Sequence, residues 1–355
     1  MKILYGVQGT GQGHVTRAQV LGPALEKAGA KVDFLFSGRP DHDKYYGMER
    51  FGDFKVRRGL TFHFSHGKIN PLRTVFNNRA SRLLMDMCRL NVKSYDLVIT
   101  DYEPITAWAA KTKGVPSLGI GNQYAFRYNI PKAGFNKLNL WAMRSLAPAK
   151  TELGVHWHHF EEPILPPIFE PPLEKSPVDP SKILVYLNFE NLKTVSVLLR
   201  NFPEKNFFIY SSDVKKPRDE DHLKFRPTSS EFKSDLADCS GIICGAGFGL
   251  VTEALYLGKK ILLKPMGGQP EQVSNALALQ QLGMGDVMNN LDQKAVSAWF
   301  AKAARGRIFY PDTATATAQW VMSGESATDN LVRSLWNQVR KHPAREQEMF
   351  NLQAA

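Results

Sequence analysis

Cysteine is nearly absent: Cys88, Cys239 and Cys244 are the three in 355 residues, and their spacing fits no metal site. Thiols scattered in this way point to a reducing compartment. Long apolar runs are missing too. No stretch approaches the about twenty residues of a membrane span. The opening MKILYGVQGTGQGH has an apolar run too brief for the core of a signal peptide, so the expected setting is the cytoplasm. There is no low-complexity basic tail and no recognised nucleic-acid motif. The excess of 45 basic over 34 acidic residues, a net +11, is therefore assigned to another anionic partner: a nucleotide diphosphate, an acidic acceptor or an anionic membrane face. What remains is ordinary for a globular chain, 43% hydrophobic and 22% charged, and long enough to bury two cores.

The most informative stretch is residues 242–285, IICGAGFGLVTEALYLGKKILLKPMGGQPEQVSNALALQQLGMG. Apolar Ile242 and Ile243 read as a strand, Gly245, Gly247 and Gly249 as a turn, and Leu250, Val251, Leu255 and Leu257 as a helix that ends at Gly258. A glycine turn opening a helix leaves backbone N–H groups unpaired at the positive end of the helix dipole, where a phosphate fits. The same glycines are also what a tight strand-to-helix turn needs for steric reasons alone. Glu253, about a turn further on, could accept two hydrogen bonds from a ribose diol. After a second strand, Glu271 and Gln272 place an acid and an amide side by side at a helix start, suited to sugar hydroxyls or simply to capping.

The first half begins with a strand over 2–8, then Gly9-Thr10-Gly11-Gln12-Gly13-His14 turns into a helix running to about Lys27. The dinucleotide fingerprint Gly-x-Gly-x-x-Gly is lacking, and the second strand ends in Ser37-Gly38 rather than an acid, which disfavours a dehydrogenase. His14 lies at a helix N-terminus, whose positive end disfavours an imidazolium; it is a base candidate or a packing residue. Arg17, one turn on, is either solvated or a contact for phosphate or carboxylate. The strand Asp96 to Thr100 delivers Asp101 to its C-terminal end, where α/β sheets place ligands; the alternative is an N-cap for a helix over 103–113. Short strands are expected at 54–56 and 60–64, with His63 and His66 in loops, and an amphipathic helix at 70–93 carrying Arg73, Arg79, Arg82 and Arg89. Beyond strand 115–120, apolar Phe135, Leu138, Leu140, Trp141 and Met143 alternate with Lys132, Lys137 and Arg144, a core-packing segment or a basic, aromatic surface for a bilayer. His156 and His158 fall on one face without acid or thiol partners.

From 161 to 182 come seven prolines and no glycine, a stiff connection. It divides the chain into residues 1–162, a linker at 163–182, a second unit at 183–325, and a terminal helix and tail at 326–355. The second unit is expected to hold strands 183–187, 207–211 and 223–226 and helices 191–201, 231–238 and 292–304. Asp219 and Asp221 are spaced like a metal pair, but in a charged loop.

The run Gly-Ala-Gly, Thr-Glu-Ala, Leu-Gly-Lys, Pro, Glu-Gln, Asn-Ala over residues 245–276 resembles the donor-binding half of nucleotide-sugar glycosyltransferases of the GT-B type. Similar runs occur in the lipid II-forming N-acetylglucosaminyltransferase and in the UDP-glucuronosyl and plant glucosyl transferases. The resemblance implies an α/β fold of two Rossmann-like domains facing a cleft, with a C-terminal helix crossing back to the first. It implies donor contacts from Gly245, Gly247, Gly249 and Thr252, a ribose contact from Glu253, and contacts to the transferred sugar from Glu271 and Gln272. Gly11, Gly13, His14 and Arg17 resemble the acceptor-side loop, with His14 the base and Asp101 its orienting acid. The implied reaction moves a sugar from a UDP-sugar to a hydroxyl with inversion, with no cofactor and no metal, at the inner face of the membrane or in the cytoplasm.

Three departures stand out. Gly245 and Leu250 occupy the positions of the His and the Ser or Thr that meet the diphosphate in the plant and glucuronosyl enzymes, so phosphate binding would rest on backbone N–H groups and the Thr252 hydroxyl. The loop Tyr186-Leu187-Asn188-Phe189-Glu190 lacks the glycines of the lipid II enzyme. A UDP-sugar hydrolase with a similar Gly-His-x-x-Arg loop, and a non-catalytic nucleotide-sugar binder, are the two rivals.

Overall fold

The computed structural model describes residues 1–39, 47–60, 64–65, 68–69, 80–174, 177–228 and 231–343. His63, His66, Arg73, Arg79 and the tail beyond 343 lie outside the described residues. The first sheet takes the order β3-β2-β1-β6-β7-β8, all parallel. Its strands are β1 (Lys2–Gln8), β2 (Lys31–Ser37), β3 (Phe54–Val56), β6 (Leu97–Asp101), β7 (Ser117–Gly121) and β8 (Thr151–Gly154). The short β4 (Phe64–Ser65) and β5 (Lys68–Ile69) pair only with each other. Parallel strands are covered on both faces, so β1 reads as a continuous run, buried from Ile3 to Gln8.

A second sheet repeats the plan in the order β11-β12-β10-β9-β13-β14-β15. It comprises β9 (Asp179–Tyr186), β10 (Asn206–Tyr210), β11 (Arg218–Glu220), β12 (Leu223–Arg226), β13 (Cys239–Cys244), β14 (Lys260–Leu263) and β15 (Asp286–Val287). Only the edge strand β11 runs antiparallel. Asp219 lies on that edge strand and binds Arg226 Nη1 at 2.6 Å, which places it in a surface ion pair. Each sheet changes winding direction once, between β1 and β6 in the first and between β9 and β13 in the second. At such points α/β proteins form a crevice outside the strand C-termini and bind ligands in it.

Twelve helices cover the described parts of the two sheets. They are α1 (Gln12–Lys27), α2 (Ala80–Arg89), α3 (Pro104–Lys113), α4 (Asn122–Ala125), α5 (Lys137–Leu146), α6 (Leu192–Leu199), α7 (Glu231–Asp238), α8 (Phe248–Tyr256), α9 (Pro270–Gln281), α10 (Gln293–Ala301), α11 (Thr313–Ser323) and α12 (Asp329–Trp336). No helix among the described residues is long and apolar enough to cross a membrane.

The crossing back to the first domain is made by two helices and begins at Thr313 rather than at 326. Ala314, Ala318 and Val321 of α11 and Leu331, Val332 and Leu335 of α12 are buried in the same cluster as Ile3, Tyr5, Val15 and Leu21. The sequence Thr-Ala-Thr-Ala-Thr hides α11, because its core face is built from small alanines rather than a large apolar stripe. The expected helix over 326–340 is cut short at Trp336, and β17 (Arg340–His342) pairs with β16 (Arg307–Phe309). The proline segment does not stand clear as a free linker: Ile164, Leu165 and Ile168 are buried, and Leu165 bridges to Val155.

Gly6 sits at mid-β1 because α3 crosses there; a β-carbon would come within 2.0 Å of the Thr106 hydroxyl. Gly6→Ala is expected to cost about 1–3 kcal/mol through overpacking. Urea denaturation should show a lowered midpoint at unchanged slope.

Candidate functional site

The first crevice gathers three strand ends. Gly11, at φ 103, is the left-handed residue that starts α1 and puts His14 in its first turn. Strand β6 ends at Asp101, which has no exposed surface. His14 Nδ1 lies 2.6 Å from Asp101 Oδ1. Arg17 grips the same carboxylate from α1, Nε to Oδ2 at 2.7 Å and Nη2 to Oδ1 at 2.5 Å. The Arg17 contact expected with an anion is thus with this carboxylate, and the side chain is buried. Burial alone would raise the Asp101 carboxyl, but the Arg17 charge and the His14 and Arg17 hydrogen bonds outweigh it and hold the group below the usual range. An ionised Asp101 only accepts, so the proton in this bond belongs to Nδ1, and in the neutral ring the lone pair is then on Nε2. The capping alternative for Asp101 is taken by Glu103, which accepts from the N–H groups of Ile105 and Thr106.

Two neighbours enforce this geometry. Tyr102 adopts a left-handed φ of 57 immediately after Asp101, and its ring lies parallel to that of His14 with centroids 6.5 Å apart. A backbone held in that region by a bulky residue is strained, a condition that clusters at functional sites. Gly121, ending β7, has a φ of 152, and a β-carbon there would sit 3.1 Å from Arg17 Nη2.

The second crevice holds the glycine turn. Gly247 precedes α8 without any side-chain cap, at an ordinary φ of −72. A β-carbon at Gly247 or Gly249 would meet no other atom within 4 Å, so neither glycine is demanded by packing. Gly245 is different: a β-carbon would lie 3.2 Å from Gln272 Oε1. That oxygen accepts from the N–H groups of Met266 at 3.0 Å and Ala246 at 3.3 Å, fixing the turn against the next loop and leaving Nε2 as the donor. The Thr252 hydroxyl is engaged elsewhere. It accepts from Trp157 Nε1 at 2.8 Å, donates to the Phe248 carbonyl at 2.8 Å and is buried, so the expected phosphate contact is not available to it. Glu253 is half-buried with no hydrogen bond to its carboxylate, and burial pushes its pKa from 4.5 to about 7, the Lys233 charge opposing and the Glu170 charge reinforcing the shift.

The two crevices meet at Glu271. Gly134 lies against Pro270, and the backbone of Ala133 exchanges bonds of 2.8 and 3.1 Å with the Ser274 hydroxyl, docking the start of α9 on the first domain. Across that junction Gln123 Nε2 donates to both Glu271 oxygens at 3.1 Å. Burial raises the Glu271 carboxyl, opposed by the nearby His14 and Arg17, so His14, Arg17, Gln123 and Glu271 share one electrostatic neighbourhood. Gln123, Tyr102, Gly121 and Trp157 were not singled out by motif; Gln123 and Gly121 carry one available signal, a place at a strand C-terminus. His156 stays apart: it is wholly buried among Trp157, Phe160 and Phe248, neither ring nitrogen has a partner, and burial pushes it down to about 3. Among the described residues no three His, Cys, Asp or Glu side chains are grouped to share a metal ion.

The family model described as glycosyl transferase family 1 matches residues 1–303. The chain belongs to glycosyl transferase family 1. No protein of curated function matches it significantly. Among solved structures, the spinosyn rhamnosyltransferase SpnG is similar at a TM-score of 0.59 and 14% identity, over 94% of this chain and 100% of that one. SnogD from Streptomyces nogalater gives 0.55 and 13%, over 95% and 99%. SsfS6 of Streptomyces sp. SF2575, solved with thymidine diphosphate, gives 0.58 and 14%, over 95% and 99%. These likenesses establish the family 1 chain as a GT-B fold.

Two outcomes follow for the second crevice. Thr252→Val should cost about 1–3 kcal/mol by leaving the Trp157 N–H buried without an acceptor, yet leave nucleotide affinity within about two-fold in calorimetry. Because Glu253 holds its proton up to about 7, the folded state loses stability relative to the unfolded chain as pH rises from 4.5 through 7. Glu253→Gln should therefore be the more stable protein at pH 8, by about 1–3 kcal/mol, with the difference gone at pH 4 when denaturation is compared at both.

Proposed function

We propose that the protein transfers a hexosyl group from a nucleotide sugar, with a uridine-type diphosphate as the carrier, to a hydroxyl acceptor with inversion at the anomeric carbon. The observation that supports this reading is that His14, buttressed by Asp101 in the first domain, and Glu271 of the second domain, held by Gln123 across the junction, share one charged neighbourhood. The diphosphate would lie at the open N-terminus of α8, against the backbone N–H groups around Gly247 and Gly249, with the ribose diol on Glu253. Sugar hydroxyls would exchange hydrogen bonds with Glu271 and with Gln272 Nε2. SsfS6 was solved with thymidine diphosphate, which offers the same diphosphate to such a turn.

In the reaction His14 Nε2 takes the proton of the acceptor hydroxyl as its oxygen bonds to the anomeric carbon. The bond from that carbon to the diphosphate oxygen breaks, and the electron pair leaves with the diphosphate. Asp101 stabilises the imidazolium that forms, and Arg17 keeps Asp101 ionised. The helix N-terminus offsets the charge growing on the leaving group, so the proposal assigns no role to a cofactor or metal.

A thermal-shift screen of nucleotide sugars tests the donor side, since stabilisation follows occupancy and needs no acceptor. His14→Ala should lower kcat by about 10²–10⁴ with nucleotide affinity unchanged. Turnover that survives His14→Ala would remove the base assignment, and release of free sugar without acceptor would make the activity hydrolytic.

A further inference from the structure

Helix α5 has no buried residue, although it lies at the junction of the two domains. Its start is tied by the Asn136–Asn139 capping box, next to Gly134 packed on Pro270. Further along it is held by its backbone: the Met143 carbonyl accepts from Tyr102 Oη at 2.8 Å and the Ser145 carbonyl from Trp108 Nε1 at 3.2 Å. The helix is therefore fixed through this backbone, at Tyr102 one residue from the Asp101 that supports His14, and through Met143, which packs against the cluster around Ala125 and Phe126; its other face is turned outward.

What it turns outward is specific. Leu138 is 73% exposed and Trp141 66%, and Trp141 is the only strongly exposed tryptophan among the described residues. Lys137 and Arg144 flank Trp141 one turn to either side, both exposed. From Ile130 to Lys150 the chain contains Lys132, Lys137, Arg144 and Lys150 and no acid at all. Core packing, the duller sequence reading of this segment, does not describe Leu138 or Trp141. Helix α2, which also rests on α3, repeats the combination in part: Leu84 and Met85 are exposed, and Arg82 and Arg89 join Arg57 and Arg58 around a cavity of about 510 Å³, where Asp86 pairs with Arg57 and leaves an excess of positive charge.

We propose that this face is a docking surface for an anionic lipid bilayer, on which α5 seats the mouth of the cleft. An aromatic and a leucine supply the apolar insertion, and the indole suits the headgroup boundary. Lys137 and Arg144 beside them, on a segment that has four cations and no acid from 130 to 150, match anionic headgroups, and the overall charge of +11 has the same sign.

The test is co-sedimentation of the full chain with phosphatidylcholine vesicles, with and without phosphatidylglycerol. Vesicles containing phosphatidylglycerol should bind about ten-fold or more tightly, with the binding weakened by salt. The double variant Leu138→Ser with Trp141→Ser should lose about ten-fold of that affinity. Both side chains are exposed, so the melting temperature and nucleotide binding should match the parent, which separates this result from any failure of the transferase reading. Absence of binding to the anionic vesicles, or binding that the double variant leaves intact, overturns the proposal. Self-association abolished by the same substitutions would assign the face to a second copy and overturn it equally.

Discussion

A carboxylate with no exposed surface governs the first half of the site. Taking Asp101 out of water costs several kcal/mol, and only charge-assisted hydrogen bonds can offset that. The chain supplies them from one helix face: Arg17 grips both oxygens and His14, three residues earlier, donates to one of them. The consequence reaches past stability. By satisfying Asp101, His14 is fixed in a single tautomer and orientation, and the group that would accept a proton is the one left for the cleft. Gly121 and Tyr102 follow from the same constraint, one by leaving room beside Arg17 and the other through the sharp turn after Asp101.

The second domain answers with the opposite economy. Where the first crevice is crowded with side chains, the turn before α8 is bare, and the side chains nearby are occupied in holding it open. Gln272 fixes the turn through backbone N–H groups, and Thr252 anchors Trp157. Trp157 belongs in sequence to the first domain but is buried with the core of the second, its ring stacked on Phe248 at 4.6 Å. The junction is thus a packed contact at the very residue that starts α8. A change in the relative position of the domains would be felt at that helix end.

The sequence disclosed the parts that depend on residue type and period. Two windings of strand and helix, the glycine turn, and His14 with Asp101 at neighbouring strand ends were legible because apolar runs and turn residues announce them. Partnership was not legible. Thr252 looks like a phosphate ligand in a string of letters, and only the fold shows its hydroxyl taken by a tryptophan 95 positions away. Helix α11 escaped because alanine forms its buried face, and Gln123 because an amide carries no motif. The GT-B resemblance brought out the donor half and the acceptor-side loop with Asp101 as the partner of His14, and left Tyr102, Gly121 and Gln123 to the coordinates.

The proposed transfer requires the bare turn of the second domain to grip a diphosphate in line with His14 across the cleft. A crystal soaked with uridine diphosphate tests it most directly. The account predicts phosphate oxygens within hydrogen-bond reach of the N–H groups around Gly247 to Gly249, both ribose hydroxyls on Glu253, and the terminal phosphate turned toward His14. A nucleotide bound elsewhere, or with its ribose away from Glu253, would contradict it.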